Sequence, residues 1–142
     1  MRITRKAIDT IRFNVANCFV ETGGIMGSQD GILISEIIMD YIDNTEYKCC
    51  YAPNVQYFNE CIAEWQQQNK YFAGMFHTHF YNVGTLSNED IKYINVIMKA
   101  MPKEVEKLYF PIYILPRQEL ICYEATREND SVLIRKDILE VV

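Results

Sequence analysis

Histidine is scarce in this chain: there are 2 in 142 residues, His77 and His79, one residue apart. Any chemistry that needs imidazole therefore has one address. Long apolar stretches are missing too. No run approaches the roughly 18 residues of a membrane-spanning helix, and Met1-Arg2-Ile3-Thr4-Arg5-Lys6 holds no apolar signal core. A cytoplasmic protein that does not enter a membrane is expected. Basic residues are in deficit, 14 Lys and Arg against 19 Asp and Glu for a formal net charge of -5. That leaves no surplus to neutralise phosphates, so nucleic acid is not an expected partner.

Glycine and proline are few, 6 and 4, and no Gly/Ser linker, repeat or low-complexity tract offers a place to divide the chain. A single domain over residues 1–142 is expected, and 49% hydrophobic content suffices for a sizeable core. The 5 cysteines are an odd number and none forms a Cys-x-x-Cys pair, so reduced thiols are expected. Cys18, Cys61 and Cys122 fall at apolar positions and read as small core residues. Cys49-Cys50 is the one adjacent pair, a redox or second metal site only if distant ligands join it.

Hydrophobic spacing supplies the elements. Ile8, Ile11, Val15, Cys18 and Phe19 recur at helical intervals with Arg5, Lys6, Arg12 and Asn17 between them. Ile25 to Ser28 and Ile32 to Met39 flank Gln29-Asp30-Gly31, a hairpin pattern. Val55, Phe58, Ile62 and Trp65 follow Pro53 as a second helix, with Gln56, Asn59, Glu60 and Glu64 outside. A third runs from about Asn88 to Met101, with Ile91, Ile94, Met98 and Met101 inward and Pro102 ending it. Tyr109 to Leu115 and Leu120 to Ala125 read as strands, Pro111 marking an edge or a strand beginning. Ser131 to Val142 adds a strand or a short helix. The expected fold class is α/β of the α+β type: a mixed, mainly antiparallel sheet flanked by helices.

Tyr71 to Phe76 is an apolar and aromatic run that reads as a buried strand leading into the histidines. Side chains alternate along a strand, so His77 and His79 share one face and Thr78 takes the other. Two imidazoles on one face can share an ion. Ser87-Asn88-Glu89-Asp90 opens the third helix, and its first turn can return the Asp90 carboxylate to the strand end. His77, His79 and Asp90 are the three-ligand set that a catalytic zinc takes while leaving a position for water. The same residues admit plainer readings: Ser87 and Asp90 as a helix cap, and the histidines as a packed pair. Glu21, just beyond the first helix, would be a solvated acid on its own, in a place the helix dipole disfavours.

His77-Thr78-His79, seven residues, Ser87, two residues and Asp90, with Glu21 upstream before Thr22-Gly23-Gly24-Ile25-Met26-Gly27, resembles the JAMM motif of the JAB/MPN metalloprotease family. The resemblance covers most of the chain, as a prokaryotic-type single-domain member, and departs at Phe80, where many members have proline. It implies a cytidine-deaminase-like layering of sheet and helices. It also implies one catalytic Zn2+ held by His77, His79 and Asp90, with Glu21 as general base and Ser87 steadying the tetrahedral intermediate. The implied activity is hydrolysis of a peptide or isopeptide bond at the C-terminal tail of a ubiquitin-like or sulfur-carrier protein. Segments that select a polyubiquitin linkage have no counterpart here. Three other readings stay open: a non-catalytic MPN-type interaction module, a peptidase for other small peptides such as cell-wall peptide, and an iron site, since two His and one carboxylate also make a facial triad.

Overall fold

Apolar side chains on both faces of a strand demand cover on both faces, and β2 (Gly23–Ser28) and β4 (Tyr71–His79) carry them. The structure is a computed structural model that describes residues 1–41 and 51–142. Cys49 and Cys50 lie outside the described residues. The other strands are β1 (Arg2–Ile3), β3 (Leu33–Met39), β5 (Lys107–Tyr109), β6 (Ile112–Ile114), β7 (Glu119–Glu128), β8 (Ser131–Asp137) and β9 (Glu140–Val141), with helices α1 (Arg5–Val15), α2 (Val55–Gln67) and α3 (Asn88–Ala100).

One mixed sheet runs β9, β1, β3, β2, β4, then β5 and β6, which share the place between β4 and β7, and lastly β8. Its long ladders, β2 with β3, β2 with β4 and β7 with β8, are antiparallel. The parallel ladders are short, β1 with β3 and β9, and β4 with β5 and β6. The sheet is mainly antiparallel and flanked by helices, as the periodicity implied.

Alternation along β2 and β4 sorts the core into two layers. Met26 and Phe76 join Ile8, Ile11 and Val15 of α1 on one face. Ile25 and Met75 join Phe58 and Trp65 of α2 and Ile94 and Met98 of α3 on the other. Each layer closes one side of the sheet by removing apolar surface from water, at roughly 25 cal/mol per Å² buried. Glycine is required at position 74, where φ is +140° and a Cβ would lie 1.8 Å from the Tyr109 carbonyl oxygen.

Three expectations need correction. Helix α1 stops at Val15, so Cys18 is only half-buried and Phe19 is 90% exposed. The chain must leave the helix there for Thr22 to meet Thr78, a tertiary demand that overrides periodicity. The Tyr109 to Leu115 strand is broken at Phe110-Pro111 into β5 and β6, because proline has no N–H for a continuous ladder. Pro111 marks the start of β6, an internal strand. Ile91 is 40% exposed, at the margin of the stripe that Ile94 and Met98 define. Of the two readings for residues beyond Ser131 the strand is the one found, as β8 and β9.

Phe76 is fully buried on the α1 face directly before His77. Phe76→Ala is expected to cost about 3–5 kcal/mol of stability in urea unfolding; a loss below about 1 kcal/mol would contradict the two-layer core.

Candidate metal centre

The pairing of β2 with β4 sets the site. Gly23 lies opposite His77 and Ile25 opposite Met75, and Ile25 and Met75 both face α2 and α3. By alternation Gly23, His77 and His79 face that side as well, and so does Glu21 if the register is continued past Gly23. Helix α3 starts on the same side, which is why Asp90 meets the histidines. The His77 and His79 Nε2 atoms are 2.8 Å apart. Asp90 Oδ1 stands 3.3 Å from His77 Nε2 and Oδ2 stands 3.5 Å from His79 Nε2.

These separations fit a cation. Zinc–nitrogen bonds of 2.0–2.1 Å at a tetrahedral angle require donors about 3.3 Å apart; the two imidazole nitrogens stand closer than that, at 2.8 Å, and each faces its own Asp90 oxygen at 3.3 or 3.5 Å. His77, His79 and Asp90 are a group close enough to hold a metal ion. Donor chemistry agrees, since borderline-soft imidazole and hard carboxylate together suit zinc and its neighbours.

Asp90 is held by its helix. Its Oδ2 accepts from the Ser87 backbone N–H at 2.7 Å, and its own N–H donates to Ser87 Oγ at 3.1 Å, a complete capping box. Capping and ligand placement are thus one arrangement. The box uses a lone pair of Ser87 Oγ, so its hydroxyl hydrogen can still be given to another acceptor. Burial favours the neutral acid at Asp90, but the two histidines and the Ser87 N–H outweigh it and hold the carboxyl well below the usual carboxylate range.

His79 is held from behind. Its Nδ1 lies 3.0 Å from the Val83 carbonyl oxygen; an Nδ1–H donated there leaves the Nε2 lone pair facing Asp90 and His77. Burial alone would lower its pKa, but hydrogen bonds to Asp90 and Val83, with the charges of Asp90 and Glu21, raise it above the ordinary 6.5. Glu21 is therefore near enough for its charge to be felt at the ring. The loop that carries it is pinned: Thr22 N–H donates to Thr78 Oγ1 at 2.9 Å and Thr78 N–H to the Thr22 carbonyl at 2.8 Å.

A second wall comes from residues that the motif does not contain. A Cβ on Gly23 would lie 2.6 Å from the Tyr51 ring, so the tyrosine packs close against the backbone opposite His77. Its hydroxyl donates to buried Asp40 at 2.7 Å, and Asp40 also accepts from the Tyr41 and Asn54 N–H groups. Burial, then the Asp40 hydrogen bond, keeps the Tyr51 phenol protonated. Spacing gave no sign of Asp40, Tyr51 or the Val83 carbonyl. Thr78 could have been suspected, because a polar side chain alternating with two site residues on a buried strand needs a partner.

No protein-family model matches the sequence, and no curated protein matches it. Solved structures do resemble it in fold. A JAB1/MPN domain protein from Archaeoglobus fulgidus superimposes with a TM-score of 0.60 at 19% identity, over 100% of this chain and 97% of that one. A protein from Desulfitobacterium hafniense, solved in solution, matches with a TM-score of 0.64 at 17% identity, over 99% and 93%. The fold is MPN-like.

The charged site has a definite pH signature. A raised His79 stabilises the metal-free fold fully below 6.5 and less as pH rises through its folded-state value. The depressed Asp90 contributes above 3.8 and less as pH falls through its own. Metal-free protein thus draws most from the pair between 3.8 and 6.5, whereas a cation must displace the imidazole proton. The rise in Tm caused by stoichiometric zinc is expected to be small near about pH 5.5 and larger near about pH 8; a pH-independent rise would rule out imidazole ligation.

Proposed function

We propose that the protein is a metal-dependent hydrolase of the JAMM type that cuts a peptide or isopeptide bond. The supporting observation is the gathering of His77, His79 and Asp90, with one ligand atom of each within 4.8 Å of the others, at the end of a strand whose neighbour leads back to Glu21. MPN-like architecture and the JAMM-type spacing of the same residues add to it.

Zinc is the ion that suits these ligands best, and when bound it would supply Lewis acidity toward a carbonyl and toward a coordinated water. Glu21 is the general base: a carboxylate whose charge reaches His79 can take the proton of the attacking water and later give it to the leaving amine. Ser87, through the hydroxyl hydrogen that capping leaves free, donates to the developing oxyanion. His77, His79 and Asp90 keep their places because strand, helix cap and carbonyl hold them before substrate arrives. No covalent nucleophile is needed.

The substrate we propose is the C-terminal tail of a ubiquitin-like or sulfur-carrier protein, cleaved at a conjugate or extension. A tail of small residues bound in extended form would gain main-chain hydrogen bonds and pass close to the ion. The JAMM-type motif supports this choice of partner.

Glu21→Gln is expected to bind zinc stoichiometrically while hydrolysis of a tail fusion falls by several orders of magnitude; retained turnover would remove Glu21 from the role of base. His77→Ala should lose metal and activity together, as read by metal analysis beside the same assay. One tightly held zinc in that variant would show the ligand set to be wrong.

A further inference from the structure

Between His79 and α3 the chain makes a turn in an unusual conformation. Tyr81 and Asn82 have φ of 58° and 59°, and the Val83 N–H donates to the Phe80 carbonyl at 3.3 Å. Two successive left-handed residues closed by that bond make the pattern of a type I′ turn, a geometry that Asn-Gly or Gly-Gly fills at little cost. Asparagine tolerates the left-handed region; tyrosine seldom enters it, and this one is 88% exposed, with the Phe80 ring 6.3 Å away as its aromatic neighbour among the described residues. Strain of this kind persists where the surroundings over-determine it.

The surroundings do so at both ends. The His79 carbonyl accepts from the Leu115 N–H at 3.1 Å, and the Gly84 carbonyl accepts from the Tyr123 hydroxyl at 2.8 Å. Gly84 is pressed so closely on Ile121 that a Cβ would lie 2.4 Å from its Cδ1. Between these anchors the turn delivers the Val83 carbonyl to the site, 3.0 Å from His79 Nδ1.

We propose that the Phe80–Val83 turn is a positioning device that sets the tautomer of His79, with Tyr81 and Asn82 acting through their backbone conformation and not through their side chains. An Nδ1–H committed to Val83 leaves Nε2 as the only ring nitrogen able to take a cation, and it fixes the ring plane toward His77 and Asp90. The inference rests on the metal-centre reading above, and it assigns the retained strain to metal affinity.

Nitrogen-15 NMR of the metal-free protein near about pH 8 tests it without any variant: His79 should be the Nδ1–H tautomer. Zinc affinity measured by chelator competition supplies the second readout. Tyr81→Pro and the milder Asn82→Val oppose a left-handed turn, and should weaken zinc binding about 10–100-fold and mix the His79 tautomers. Tyr81→Gly and Asn82→Gly allow the turn and should keep both at wild-type values. An Nε2–H tautomer in the wild type, a folded Asn82→Val with unchanged zinc affinity, or a loss caused by Tyr81→Gly would overturn the proposal. Should Tyr81→Pro fail to fold, the wild-type tautomer and the other three variants decide. Wild-type protein that takes up no zinc would sink the metal centre, while its His79 tautomer would still decide the turn.

Discussion

The register of β2 against β4 is the constraint on which the site depends. Gly23 faces His77, and a slip of one residue would turn both imidazoles to the α1 side, away from Asp90. Two features hold the register. Apolar residues on both faces of the two strands would be misplaced by any slip, and the Thr22 and Thr78 hydrogen bonds join the strands just where the ladder ends. Thr78 is fully buried, so breaking those bonds would strand polar groups away from water.

The polar groups of the site are arranged so that each restrains another. Asp90 begins a helix and also faces two imidazoles, and Ser87 caps that helix with the atom whose hydrogen stays free. His79 has one nitrogen turned to Val83 and one turned inward. Around them Tyr51 and Asp40 close the side next to Gly23. A site restrained in this way needs little rearrangement to accept an ion.

Much of this was legible in the chain because it follows short-range rules. Strand alternation put His77 and His79 on one face, and the Ser87 to Asp90 interval returned a carboxylate to them through a helix cap. Both rules depend on neighbours in sequence. The helices at Val55 and Asn88 were readable from their apolar stripes for the same reason. What stayed hidden depends on distant partners or on backbone atoms. The end of α1 at Val15 answers to Thr78, far along the chain, and the internal place of β6 answers to the strands on either side of it. The turn at Tyr81-Asn82 carries no glycine to announce it, and the Val83 carbonyl has no side chain by which to be recognised. Neither histidine spacing nor hydrophobic period carries information about such groups.

The three residues gathered closely enough to hold a cation come from one short stretch of strand, loop and helix, whereas Glu21 arrives on a separate loop pinned through Thr22 to a partner 56 residues away. Closing a short stretch costs less chain entropy than closing a long one. The His77, His79 and Asp90 half is therefore the more autonomous of the two, and local opening of loop 16–22 would move Glu21 away while leaving those three side chains gathered. In the proposed reading, holding an ion and using it would be separable properties of this architecture, and the second could be lost without dismantling the first.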